Sequence, residues 1–398
     1  MKQYRTYLAL TASLVALSAC NPIPNEFSTP LPSSEPQPTT APTTAPTTAP
    51  TGAPTTAPTT APSPNDDIEA SALRGREVFR FETFGNETFW TDGAKLATGI
   101  VGAGITPVQA LQLGHHVDVE ALSPEVVSVV AEELKTDLSP ENAPTLNDPM
   151  TTVALINANA VVGVVPIDTN NDGVMDVLNG DKIGVSCALC HGVTDESVFT
   201  LPNGGSIGRR VDGPGTVNLN VGAILATAEN SRAFYPLAQL QNPGGSGRAP
   251  ASLNLGPNST EAEFDAYFSN PEYYPVGHFD VSFDGVGNPA INVPLFGENI
   301  QAPLGGDLNL SLEDFNNLVY TALMEPTTLA TDAARQTAGD QLVDDYIEVL
   351  KQTGVTGYPY INATRTNQTN NQSLIGYRVD DQKLEDMSAY LQTLAPVN

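Results

Sequence analysis

Gly184-Val-Ser-Cys-Ala-Leu-Cys-His-Gly192 is the stretch whose reading decides the fold. Cys187, Cys190 and His191 form a C-x-x-C-H unit, the pattern of c-type haem attachment. Residues i and i+3 share one face of a helical turn, so both thiols reach the vinyl groups of a single porphyrin. His191 then stands over the iron as its proximal ligand. A zinc site calls for about four ligands, and the only other cysteine is Cys20. A thioredoxin-like redox pair calls for a βαβ setting that these Gly- and Asp-rich flanks lack. A structural disulfide would account for the two cysteines but not for the histidine that follows them.

The start of the chain sets the compartment. Lys2 and Arg5 precede an apolar run from Tyr7 to Leu17, and Leu17-Ser18-Ala19-Cys20 resembles a bacterial lipobox. Residues 1–20 therefore read as a lipoprotein signal peptide with Cys20 as the lipidated residue. The apolar run falls short of the roughly 20 residues of a membrane span. Residues 21–65 are rich in Pro, Thr, Ala and Ser with repeated Ala-Pro-Thr-Thr, an extended linker. At about 3.1 Å per residue, residues 28–65 reach on the order of 120 Å if stiff. The two cations of the signal and the two carboxylates of the linker cancel, so residues 66–398 carry the whole formal charge of −28. Such a field repels nucleic acid and anionic lipid and steers in a redox partner with a basic docking surface. Adaptation of the whole surface to solvation or salt is an equal account of the same charge.

Residues 66–398 read as a mainly α, cytochrome c-like helical haem domain, with a large irregular insertion at about 80–186 and a short β-hairpin. The pattern predicts a first helix over 67–80 with Ile68, Leu73, Val78 and Phe79 apolar, and a last helix capped by Asp380 with Leu384, Met387, Leu391 and Leu394 as one stripe. Gly75 and Tyr390 resemble the glycine and aromatic at which the first and last helices of a cytochrome c cross. Helices are also predicted from Thr106-Pro107 to Gly114, from Ser123 to about Thr136, from about Asn218 to Ala228, from Ser311 to Pro326 and from Asp332 to Thr353. Residues 241–310 read as loops over the haem. Strands at Val161–Ile167 and Val174–Ile183 flank Asn170-Asn171-Asp172-Gly173. The same stretch, with Asp168 and Asp176, resembles the start of a calcium loop; Asn179 stands where the bidentate Glu belongs, which favours the turn over a Ca2+ site.

Arg209 and Arg210 are candidates for pairing with haem propionates. For the sixth iron position Met324 leads, at a helix end just before Glu325-Pro326 and after the haem motif; His278 is next and an open site third. Met387 reads as core filler, and Met150 and Met175 precede the motif. His115 and His116 follow the helix stop at Gly114 and read as exposed turn residues.

Arg80-Phe-Glu-Thr-Phe-Gly-Asn-Glu-Thr-Phe-Trp-Thr-Asp92, with Thr106–Leu122, the motif region and Asp212–Ile224, resembles the bacterial exported c-type cytochromes related to di-haem cytochrome c peroxidase-like oxidoreductases. Longer members carry a second haem domain with its own C-x-x-C-H, and this chain has one such motif. The resemblance and the motif together imply a membrane-tethered mono-haem cytochrome that carries single electrons between periplasmic or cell-surface partners. The alternatives are a peroxidase-like haem oxidoreductase with an open or displaceable sixth ligand, and a haem-based sensor.

Overall fold

Pro64 opens the first helix, α1 (Pro64–Phe81), where its missing N–H costs nothing. In the computed structural model, residues 64–240, 255–279, 290–297, 300, 304, 310–330, 339–355 and 378–396 are described. Cys20, most of the Pro/Thr-rich segment and the expected helix start at Asp332 lie outside them. The unit containing the C-x-x-C-H motif runs from Ala61 to Asn398. It is mainly α, with small sheets of two or three short strands.

α1 packs across the last helix, α12 (Asp381–Leu391), whose N-cap Asp380 accepts the Lys383 N–H as expected. The crossing is close enough that a Cβ on Gly75 would lie 1.8 Å from the Asp386 carbonyl oxygen. One turn on, Phe79 meets the Tyr390 ring at 5.8 Å. Asp386 accepts from the Ser71 hydroxyl and from Arg74 Nε and Nη2, and Lys383 bonds Glu82. The buried face of α1 includes Val78 and Phe79 as expected, but Ile68 and Leu73 are exposed and Ala72 is buried in their place. The partner decides this, because only the Gly75 side lets α12 approach. Gly75→Ala is expected to force the helices apart at a cost of about 1–3 kcal/mol, read as a lower denaturation midpoint. An unchanged midpoint would count against the close crossing.

Between these helices the chain forms α2 (Leu96–Gly102), α3 (Pro107–Gln112), the two-residue strand β1 (Val117–Asp118), α4 (Pro124–Glu133) and α5 (Pro149–Asn157). Thr106 closes a full capping box on α3 and Ser123 caps α4, as their sequences predict. The hairpin forms with a shifted second strand: β2 (Val164–Ile167) pairs antiparallel with β3 (Lys182–Val185), Val164 opposite Val185. Residues 174–181 form no strand because the loop's carboxylates hold its backbone. Asp168 accepts from the N–H groups of Asn171 and Gly173, and Asp181 from those of Thr169 and Asp176.

β3 leads into the C-x-x-C-H motif on α6 (Ala188–His191), followed by β4 (Gly192–Thr194), which pairs with Arg210–Asp212. Then come α7 (Val221–Leu225), α8 (Tyr235–Leu240) and α9 (Glu261–Phe268). The loop expectation for residues 241–310 misses α9, which Thr260 and Glu263 start with a capping box. α10 (Leu312–Val319) begins at the N-cap Ser311 and runs into a π turn, Tyr320–Met324. α11 (Asp340–Gln352) precedes α12.

Candidate functional site

One cavity of about 660 Å³ lies at the centre of these elements, within the usual range for cofactor pockets. Cys187, Cys190 and His191 all line it, so the i, i+3 spacing puts both thiols and the imidazole on one surface. Phe79 of α1, Phe315 of α10, Met324 of the π turn, and Met387 and Leu391 of α12 line it too. The lining is almost wholly apolar, and no charged side chain is part of it among the described residues.

The motif is held from behind. Gly163, at φ +77°, packs on the Leu189 backbone where a Cβ would lie 2.0 Å from its nitrogen. Asn86 bonds both the N–H and the carbonyl of Val185, and the Ser186 hydroxyl donates to the Arg80 carbonyl. The Cys190 carbonyl accepts from the Thr216 N–H, the Thr216 hydroxyl and the Asn292 amide. The His191 carbonyl accepts from the Gly213 N–H at 2.8 Å. The turn therefore presents its side chains from a fixed backbone.

Burial sets the charge states. It pushes the Cys187 and Cys190 thiols up to about 12 and the His191 imidazole down to about 4, the latter opposed by a backbone group of Val293. His191 Nδ1 is buried without a partner of ordinary hydrogen-bond geometry. Two neutral thiols and a neutral imidazole on one apolar wall fit a haem c, whose iron takes a neutral imidazole. Among the described residues no group of three or more His, Cys, Asp or Glu gathers to hold a metal ion. A haem iron draws only one of those residue types, with the porphyrin supplying the rest.

Met324 is the sequence-predicted distal residue that reaches the cavity. Met387 lines it as well, but its sulfur lies 3.6 Å from the Cys187 sulfur, at the attachment edge. His278 does not line the cavity; its Nδ1 bonds the Val276 carbonyl. Met150 is exposed, and Met175 packs elsewhere against the core. Neither arginine reaches the cavity. Arg209 is exposed beside Asp195, whereas Arg210 is buried against Asp118 and over the Phe81 ring.

His115 and His116 are not exposed turn residues: His116 is buried and His115 half-buried. His116 Nδ1 accepts the Ser206 N–H and meets the Ser206 hydroxyl at 2.8 Å, and burial lowers it from 6.5 to about 4. A neutral folded-state imidazole loses its stabilising effect as pH falls from about 6.5 to 4, because the unfolded chain takes up the proton first. His116→Asn, which keeps an acceptor for Ser206, is expected to flatten that part of the stability–pH curve. A curve with unchanged slope would refute the assignment.

Sequence reasoning missed Asn292, Trp90 and Glu325. Asn292 carries no signal, since its partner Cys190 is 102 residues away. Trp90 is the chain's one tryptophan, and its Nε1–H donates to the Met324 carbonyl. Glu325 is fully buried, bonded to Thr327, and burial pushes its carboxyl well above the ordinary range. No helix among the described residues is long and apolar enough to cross a membrane. Comparison with family models, curated proteins and solved structures returned no match for the chain.

Proposed function

We propose that this chain is an exported, lipid-anchored mono-haem c-type cytochrome that carries single electrons between protein partners. The observation that carries the reading is the one apolar cavity that takes its lining from Cys187, Cys190, His191 and Met324 together. The close crossing of α1 and α12 at Gly75, with Phe79 against Tyr390, supports a cytochrome c-like arrangement around it. Haem, when bound, supplies a reversible one-electron couple at its iron.

The chain's own residues do the rest. Cys187 and Cys190 tether the group, and His191 orients it from a backbone held by Thr216, Asn292 and Gly213. The apolar lining excludes water, and the Met324 thioether would help to hold the group from within the same cavity, a ligand type that favours ferrous iron. Nearly all the described cations sit against carboxylates, leaving the excess negative charge for a basic partner. The test is pyridine haemochrome analysis of protein washed with acid acetone. A c-type spectrum with one haem per chain is expected, and haem that washes out would sink the reading. Labelling with a fatty-acid analogue is expected to mark the wild type and to leave Cys20→Ala unmarked and soluble. A Cys20→Ala protein that stays in the membrane fraction would replace the lipid anchor with a helical one.

A further inference from the structure

We propose that Trp90 is a positioning residue that holds the Met324 segment at the cavity through a hydrogen bond from its indole N–H to the Met324 carbonyl. This rests on the reading of Met324 as distal ligand. The bond is buried, 2.8 Å long, and joins residues 234 apart in sequence. Its place explains its weight. Met324 is the last residue of the π turn Tyr320–Met324, and the chain leaves that turn at Glu325 with φ −137° and ψ 75°. Carbonyls at a helix end have no partner within the helix, so a buried one needs a donor from elsewhere. Trp90 supplies it.

The donor is itself immobile. Trp90 belongs to a second π turn, Phe89–Gly93, closed by the Ala94 N–H on the Phe89 carbonyl. Its ring packs 5.1 Å from that of Phe234 and forms part of the cavity wall. The far end of the turn is held separately: the Tyr320 hydroxyl donates to the Phe84 carbonyl at 2.9 Å, and the Met324 carbonyl is left to Trp90. Short π turns recur at functional sites because they present a residue that a regular helix would turn away. Here two of them are bonded to each other, and one ends in the residue that must face the iron. Removing the Trp90 N–H leaves the Met324 carbonyl buried without its donor. The segment then gains by withdrawing toward another partner, and the sulfur leaves with it.

The experiment uses the full chain with its haem. Trp90 is replaced by benzothienylalanine, which keeps the ring shape and lacks the N–H, and separately by Phe. Carbon monoxide affinity of the reduced protein, the near-infrared sulfur-to-iron band and covalent haem content are measured. One lost hydrogen bond predicts carbon monoxide binding tighter by about three- to tenfold and a weaker band, with haem content unchanged. Wild-type affinity in the benzothienylalanine protein would overturn the inference. Tyr320→Phe, which leaves the Met324 carbonyl bonded, is expected to match the wild type; a shift equal to that of the Trp90 variants would assign the effect to segment packing and overturn it too. Met324→Ala separates the two levels. If that variant binds carbon monoxide tightly while the Trp90 variants do not, the positioning role fails alone. If it binds as the wild type does, the ligand reading fails and takes this inference with it.

Discussion

Replacing Cys187 and Cys190 together by alanine is expected to yield protein from which acid acetone extracts every haem. The two sulfurs are the only thiols of residues 66–398, and both line the cavity. Each single replacement leaves one thioether, so the denatured pyridine complex of either variant is expected to shift toward that of a haem with one remaining vinyl group. The double variant has nothing left to hold the porphyrin after denaturation, although His191 and the apolar wall can still bind it while the fold lasts. Measuring haem in the pellet and in the acetone phase separates the outcomes. Covalent haem retained by the double variant would rule out attachment at this motif.

Met324→Ala is expected to have the second largest effect. It should remove the near-infrared sulfur-to-iron band and lower the midpoint potential by on the order of 0.1 V, within the roughly 0.8 V range that axial ligands span. Met387→Ala provides the contrast. Met387 is buried at the attachment edge, so its loss is expected to cost about 2–5 kcal/mol of stability while the band survives. His278→Ala is expected to alter neither, because its ring is turned to the Val276 carbonyl. A wild type that lacks the sulfur-to-iron band, with a midpoint potential that persists in Met324→Ala and shifts in His278→Ala, would move the sixth ligand to His278.

Much of this architecture is legible in the sequence where the physics is local. Caps at Thr106, Ser123, Ser311 and Asp380 reach only as far as the third residue of each helix, so four consecutive letters specify them. The haem motif is local in the same sense. The face that α1 buries is not, since Ile68 and Leu73 also keep helical spacing and only the partner at Gly75 decides between them. Strand register is equally remote: Asp181 takes the backbone N–H groups of Thr169 and Asp176 and so delays β3 to Lys182. Arg209 and Arg210 illustrate the period-two problem. Adjacent side chains in extended backbone point to opposite sides, so one meets solvent and the other Asp118. The Trp90 and Asn292 contacts span 234 and 102 residues, and no pattern within either segment announces them.

The crossing of α1 with α12 also bears on the order of events in biogenesis. On the proposed export route the chain emerges from its N-terminus, so Cys187 and Cys190 are outside the membrane while Asp381–Leu391 is still to come. Until then the wall that Met387 and Leu391 contribute does not exist. On the haem reading, a porphyrin attached at that stage meets a half-built bowl that the last helix completes afterwards. A chain that folds first has Cys187, Cys190 and His191 already on the wall of the finished cavity.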